Sequence, residues 1–250
     1  MNMKQKAQEW VGETRERCAE EIKTSIDRTF MYEDDMLDFD LEALKRYNKS
    51  PSVLVDKDTV SCLFDCEMEG RVCVLNFASF KNPGGGFLTG STTQEEALCH
   101  ESTLYPVLHK FFPTYYMENR RRRNRALYEN RALYSQDILF LRDGRKKVAD
   151  VLTCAAPNYR EASRLHGVTE DENYKVLRSR IEFMSGVMQV QKADTLILGA
   201  WGCGVFGNSP AIVCELFDKY MRGFKKIYYA IPDSESQNYE SFEDALRPQP

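Results

Sequence analysis

The sequence predicts an α/β fold in which a sheet is layered with helices. Three observations predict it: short apolar stretches too continuous to leave one face in water, amphipathic stripes of helical period, and the alternation of the two toward the C-terminal end. The first helix is expected over 8–26, where Trp10, Val11, Cys18, Ile22 and Ile26 recur largely at fourfold spacing among charges. Central strands are expected at 53–55, 61–64, 72–77, 138–141, 151–155, 195–200 and 226–231. Helical patterns cover 94–110, 170–192, 210–221 and 238–246, and in 170–192 the stripe is Tyr174, Leu177, Ile181, Met184 and Met188. The 250 residues allow one large domain or two small ones, and no shift of composition marks an internal boundary.

Composition excludes several classes. Hydrophobic residues at 42%, aromatics at 12% and charged residues at 29% are near globular averages, against a disordered, collagen-like or solenoid chain. Thirty-four Lys plus Arg against 38 Asp plus Glu leave a net charge of −4, so a polyanion must meet a local patch, and generic DNA coating is not expected. No apolar run approaches the roughly 18 residues of a membrane span. The N-terminus opens on polar residues instead of a signal-like apolar core, so a cytoplasmic protein without a membrane partner is expected. The eight cysteines are scattered, several inside apolar strands, and read as buried free thiols. With three histidines and no second pair to match Cys62 and Cys66, no metal site is expected. The stretch 115–135 carries the arginine run 120–123 and the repeated hexads NRALYE and NRALYS; it reads as a basic, partly solvated excursion.

Two segments carry chemistry. In the first, a strand ends near Phe77, Gly84, Gly85 and Gly86 follow Pro83, and a helix begins close to Gln94. Adjacent glycines suit a backbone with unusual dihedrals or close approach to a ligand. Thr92 with Glu95 and Thr93 with Glu96 match a helix capping box, the local account of either acid alone. A Gln-Glu-Glu run directly behind a glycine loop also places polar groups where that loop presents a ligand. In the second, a strand runs into Gly202, Cys203, Gly204, Val205, Phe206 and Gly207, and Ser209 with Pro210 starts a helix. Open backbone N–H groups and a helix N-terminus favour a phosphate there. The same glycines satisfy a dinucleotide fingerprint, but too little chain follows, and Asp233 lies too far on, for a nucleotide-dependent dehydrogenase. Cys203, flanked by glycines near a helix N-terminus, is a candidate nucleophile of lowered pKa, though no histidine is near in sequence to serve it.

Together the two segments resemble the microbial-type poly(ADP-ribose) glycohydrolases, whose signature is three glycines, a spacer of six to eight residues, then Gln-Glu-Glu. Here these are Gly84, Gly85 and Gly86, the spacer 87–93, and Gln94, Glu95 and Glu96. Further likeness lies around Asn76 and Asn82, in 134–143, 151–158, 196–208 and 238–246. The resemblance implies a three-layer α/β/α macrodomain-like mixed sheet with an N-terminal helical extension, divided as residues 1–50 packed on a catalytic domain of 51–250. It implies Glu96 as catalytic acid with Glu95 beside it as a ribose ligand, and Asn76 and Asn82 lining the distal ribose. Gly84 to Gly86 and Gln94 are expected at the substrate; 202–208, ending in Gly207 and Asn208, would cradle the diphosphate, with Phe206 over the sugar. The implied partners are poly(ADP-ribose) or ADP-ribosylated macromolecules, with ADP-ribose as product and no cofactor. The stretch 115–135 is longer than the family's usual connection and bears on substrate preference. A macrodomain that only binds ADP-ribose and a hydrolase of mono-ADP-ribosyl links are the alternatives.

The chemistry implied agrees with these residues. Adjacent helical residues point about 100° apart, so Glu95 and Glu96 do not bracket a sugar ring as paired glycosidase carboxyls do. One working carboxyl is expected, protonated when substrate binds through burial and neighbouring anions.

Overall fold

The computed structural model describes residues 2–37 and 39–247, so residues 1 and 250, the outer limits of the expected division, lie outside it. From the N-terminus run α1 (Met3–Arg17), α2 (Ala19–Asp27), β1 (Thr29–Glu33), β2 (Ser52–Val55), α3 (Thr59–Asp65) and β3 (Val72–Phe77). The middle holds α4 (Gln94–His100), α5 (Leu104–Lys110), α6 (Met117–Arg121), β4 (Arg131–Arg142) and β5 (Arg145–Cys154). The remainder is α7 (Tyr159–His166), α8 (Glu170–Val190), β6 (Thr195–Leu198), α9 (Pro210–Tyr220), β7 (Lys226–Ala230) and α10 (Gln237–Leu246).

The strands form one mixed sheet in the order β1-β4-β5-β3-β6-β7-β2. The β1–β4 and β4–β5 pairs are antiparallel and the other four are parallel. Alternation along β3 shows the layering. Cys73 and Leu75 pack with Leu177, Met184 and Phe217 of α8 and α9, whereas Val72 and Val74 face Leu63, Leu98 and Leu108 of α3, α4 and α5. With both faces covered, β3 and β6 are the continuous apolar runs the sequence displays.

Several elements differ from expectation. Residues 61–64 are helical, because the Asp58 carboxylate caps α3 by accepting from the N–H groups of Val60 and Ser61, both at 2.9 Å. A short apolar run has no period that separates strand from buried helix. The helix over 94–110 is broken: Thr103 N–H donates to the Leu139 carbonyl (3.0 Å) and Leu141 N–H to that of Glu101 (2.8 Å), so 101–103 serve β4 instead. The helix over 8–26 divides at Cys18, whose backbone leaves the helical region. Within the segment expected as a helical extension, Thr29–Glu33 is an edge strand on β4, so the sheet reaches across residue 50.

The excursion 115–135 is corrected most. Tyr115, Tyr116, Asn119, Tyr128 and Arg131 are buried, and 131–135 of the second hexad lie in β4. Arg131 pairs with Glu33 at 3.0 Å, and Arg121, Arg122 and Arg123 close ion pairs with Glu118, Glu33 and Glu161. Charge that reads as a solvated face is thus largely paired with acids, of which Glu33 and Glu161 are distant in sequence.

Candidate active site

A cleft of about 870 Å³ opens where the parallel strands β3, β5 and β6 end, the usual place for ligands in layered sheets. Both glycine segments reach it. Among the candidate residues, Asn82, Gly85, Gly86, Gln94, Glu95, Glu96, Gly202, Gly204, Val205 and Phe206 line it, while Asn76, Gly84, Cys203, Gly207 and Asn208 do not.

The Gln-Glu-Glu run forms the start of α4, but the capping-box account is overturned. Thr93, the residue before the helix, makes no side-chain bond to its backbone; its hydroxyl donates to the Glu96 carboxylate instead. Both acids turn back to the glycine turn. Glu95 accepts from the N–H groups of Ser79 (2.6 Å) and Gly84 (3.1 Å) and from Asn76 Nδ2 (3.3 Å). Glu96 Oε1 accepts from Gly86 N–H at 2.7 Å. Gly85 adopts φ +57°, and a Cβ there would stand 2.5 Å from Glu96 Oε1 and 2.9 Å from Glu95 Oε2. Both carboxyls therefore crowd one point.

Glu95 is 2% exposed and Glu96 4%. Burial pushes the Glu95 carboxyl from its ordinary 4.5 up to about 8, with the neighbouring Glu96 charge adding and the donors from Ser79, Asn76 and Gly84 opposing. Burial thus favours the neutral acid form of Glu95. A carboxyl held toward its protonated form by burial is present at the glycine turn, at Glu95.

Other candidates hold the walls of the cleft in place. Asn76, expected at the ribose, is fully buried and holds Glu95 and Thr153, and its Oδ1 has no partner among the described residues. Gln94 caps β3: its Oε1 accepts from Phe77 N–H (2.8 Å) and its Nε2 donates to the Leu75 carbonyl (2.9 Å). Asn208 pins the second turn, donating to the Pro157 (2.9 Å) and Gly202 (3.0 Å) carbonyls and accepting from Asn173. Burial raises the Cys203 thiol to about 12, which disposes of a reactive thiolate.

In that second turn Cys203 N–H donates to Ala200, Gly207 N–H to Gly204 and Asn208 N–H to Gly202. The N–H groups of Gly202, Gly204, Val205 and Phe206 have no protein acceptor among the described residues. Gly202 takes φ +74°, and a Cβ there would meet the Ala156 Cβ at 2.5 Å; at Gly204 a Cβ would meet nothing within 4 Å. Gly204 thus borders open space beside the four free donors, a concave arrangement suited to an anion.

Three supporting residues escaped sequence reasoning. Trp201 is fully buried and donates from Nε1 to the Cys154 carbonyl at 2.9 Å. Tyr128, at φ +63°, stacks on Phe80 at 4.1 Å and meets Phe206 edge-on, bracing the cleft wall. Buried Arg180 donates to the carbonyls of Ala155 (2.6 Å) and Leu127 (3.2 Å) and to Asn130 Oδ1 (2.5 Å). Its signal was present, since it falls three residues after Leu177 on the apolar stripe of α8.

Buried paired carboxyls at a glycine turn, facing a turn of open N–H groups at the end of a macrodomain-like sheet, define a hydrolase of glycosidic bonds. Comparison with known proteins specifies it. The chain belongs to the microbial-type poly(ADP-ribose) glycohydrolase (PARG) family, whose catalytic-domain model, Microbial-type PARG, catalytic domain, matches residues 5–143. Among solved structures, poly(ADP-ribose) glycohydrolase from Thermomonospora curvata bound to the inhibitor ADP-HPD is 28% identical, with a TM-score of 0.84 over 98% of this chain and 99% of that one. The Deinococcus radiodurans enzyme in complex with ADP-ribose is 30% identical, with a TM-score of 0.81 over 90% of this chain and 96% of that one. No curated protein sequence matches. The chain is a hydrolase acting on ADP-ribosyl glycosidic bonds. No helix among the described residues is long and apolar enough to cross a membrane.

Proposed function

We propose that the cleft takes the terminal unit of poly(ADP-ribose), with Glu96 as acid and base and the diphosphate on the open N–H groups of Gly202, Gly204, Val205 and Phe206. One observation carries this reading: the buried carboxyl pair and the turn of free donors line the same cavity. Glu95 is held by three donors and serves to orient the ribose, as Asn82 does from the rim. Glu96 Oε2 is engaged by one rotatable hydroxyl, that of Thr93, and so is the carboxyl oxygen able to turn to substrate.

Burial favours the neutral form of Glu95, which keeps a further negative charge away from the crowded point where Glu96 acts. Glu96, in its acid form, donates its proton to the 2′-oxygen of the next unit as the C1″–O bond breaks, the bonding electrons leaving with that oxygen. The sugar becomes oxocarbenium-like, stabilised by the carboxylate and by the substrate's phosphates. Glu96 then takes a proton from water as its oxygen bonds to C1″, which releases ADP-ribose and restores the pair. Eight free cysteines suit a reducing compartment and support the cytoplasm as the place of action.

Glu96→Gln tests the assignment. Calorimetry should show retained ADP-ribose binding, while release of ADP-ribose from poly(ADP-ribose) falls by at least about 10²-fold, the lower range for positioned acid–base groups. Undiminished turnover would remove Glu96 from the mechanism.

A further inference from the structure

Of the arginines at 120–123, three are paired with carboxylates, whereas Arg120 has no carboxylate partner among the described residues. Its Nε donates to the Lys81 carbonyl (3.1 Å) and its Nη2 to Asn82 Oδ1 (2.8 Å), while Nη1 has no protein acceptor among the described residues. The guanidinium lies 5.1 Å from the centre of the Phe112 ring. Asn82 and Phe112 both line the cleft, so this uncompensated cation stands at its mouth.

Inward from Phe112 runs a series of rings. His109 is nearly parallel to Phe112, at 17° and 6.4 Å between centres, and Tyr105 lies 5.8 Å from His109. Tyr105 abuts the glycine turn, since a Cβ on Gly84 would stand 2.7 Å from its ring. Tyr105 is buried, Phe112 half-buried, and His109 and Arg120 are exposed. The rings thus lead from the turn that holds the carboxyls out to solvent, and they end at a free charge. Contacts of the 202–208 turn run elsewhere, to Ala156, Arg160 and Tyr128.

The next step rests on the reading above. When C1″ of the terminal ribose faces Glu96, the departing oxygen belongs to the adenosine of the following unit, whose purine and diphosphate must lie outside the cavity near the carboxyls. We propose that Phe112, His109 and Arg120 form the subsite for this departing unit. Its purine lies on the Phe112 and His109 rings, and its diphosphate takes the free Nη1 of Arg120. Flat bases stack on aromatic faces irrespective of identity. An unpaired guanidinium binds phosphate by a charge-assisted fork. The subsite makes the enzyme prefer polymer over ADP-ribose joined to a small group.

The test compares kcat/KM for poly(ADP-ribose) with that for ADP-ribose carrying 4-nitrophenol at C1″, whose departing group has neither purine nor phosphate. In Arg120→Ala, and separately in the double variant His109→Ala with Phe112→Leu, the polymer value should fall at least about tenfold more than the aryl value. Equal losses on both substrates would reduce Arg120 to a brace for Asn82 and overturn the subsite, as would no loss on either. Failure of the underlying activity looks different, because wild-type protein would then turn over neither substrate.

Discussion

The two glycine turns make opposite demands on a side chain, and substitution should separate them. At Gly85 a Cβ meets both carboxyls, at 2.5 and 2.9 Å, and φ is +57°. A left-handed residue bearing a Cβ costs about 1–2 kcal/mol. Displacing Glu96 breaks its charge-assisted bond from Gly86 N–H, a further loss of about 1.5–3 kcal/mol. Gly85→Ala should therefore lose roughly 3–5 kcal/mol, near 10 °C in Tm for a chain of this size, together with most activity. At Gly204 a Cβ meets nothing within 4 Å. Gly204→Val should melt within about 0.5 kcal/mol of wild type. Its side chain enters the space where the diphosphate is proposed to lie, so ADP-ribose Kd should rise at least about tenfold, or 1.4 kcal/mol. Thermal melts and calorimetry on both variants read the contrast. A Gly85→Ala protein as stable and active as wild type, or a Gly204→Val protein with undiminished affinity, would refute the reasoning.

Further outcomes follow from the same geometry. Above about pH 8 the buried Glu95 loses its proton, and a negative charge then faces an anionic substrate. The pH profile of kcat/KM should fall there, chiefly through KM, and a profile flat to pH 10 would contradict this. Because folded Glu95 binds its proton more tightly than the unfolded chain, its stabilising contribution is full below about 4.5 and is lost as pH rises through about 8. Denaturant midpoints measured across that window should show the decline. Arg180→Met leaves the carbonyls of Ala155 and Leu127 unpaired in the interior, at about 1–3 kcal/mol each, and its melting temperature should drop by several degrees. Cys203→Ser should keep turnover within about twofold; a loss of 10²-fold would reinstate the thiol that burial excludes.

The parts legible in the sequence are those whose cause is local. Strands β3 and β6 announce themselves because both faces are covered, so every position can be apolar. The glycine turn and the acids behind it were visible because an unusual backbone and a rare side-chain run occur close together. What remained hidden depends on partners far along the chain. Nothing within 101–103 discloses that its backbone pairs with β4 instead of continuing a helix. The acids that neutralise Arg122 and Arg131 include Glu33, roughly 90 and 100 residues upstream, so the basic stretch read as solvated. Asn76 and Gln94 are expected at the substrate; Gln94 lines the cleft, and the hydrogen bonds of the two also lock Glu95 and the end of β3, a role that only the third dimension reveals.

A crystal structure with ADP-ribose bound tests the central claim most directly. The account predicts phosphate oxygens accepting from the N–H groups of Gly204, Val205 and Phe206, with the C1″ hydroxyl about 2.6–3.2 Å from the Glu96 carboxylate. A diphosphate lodged away from that turn, or a ribose whose C1″ faces away from Glu96, would contradict it.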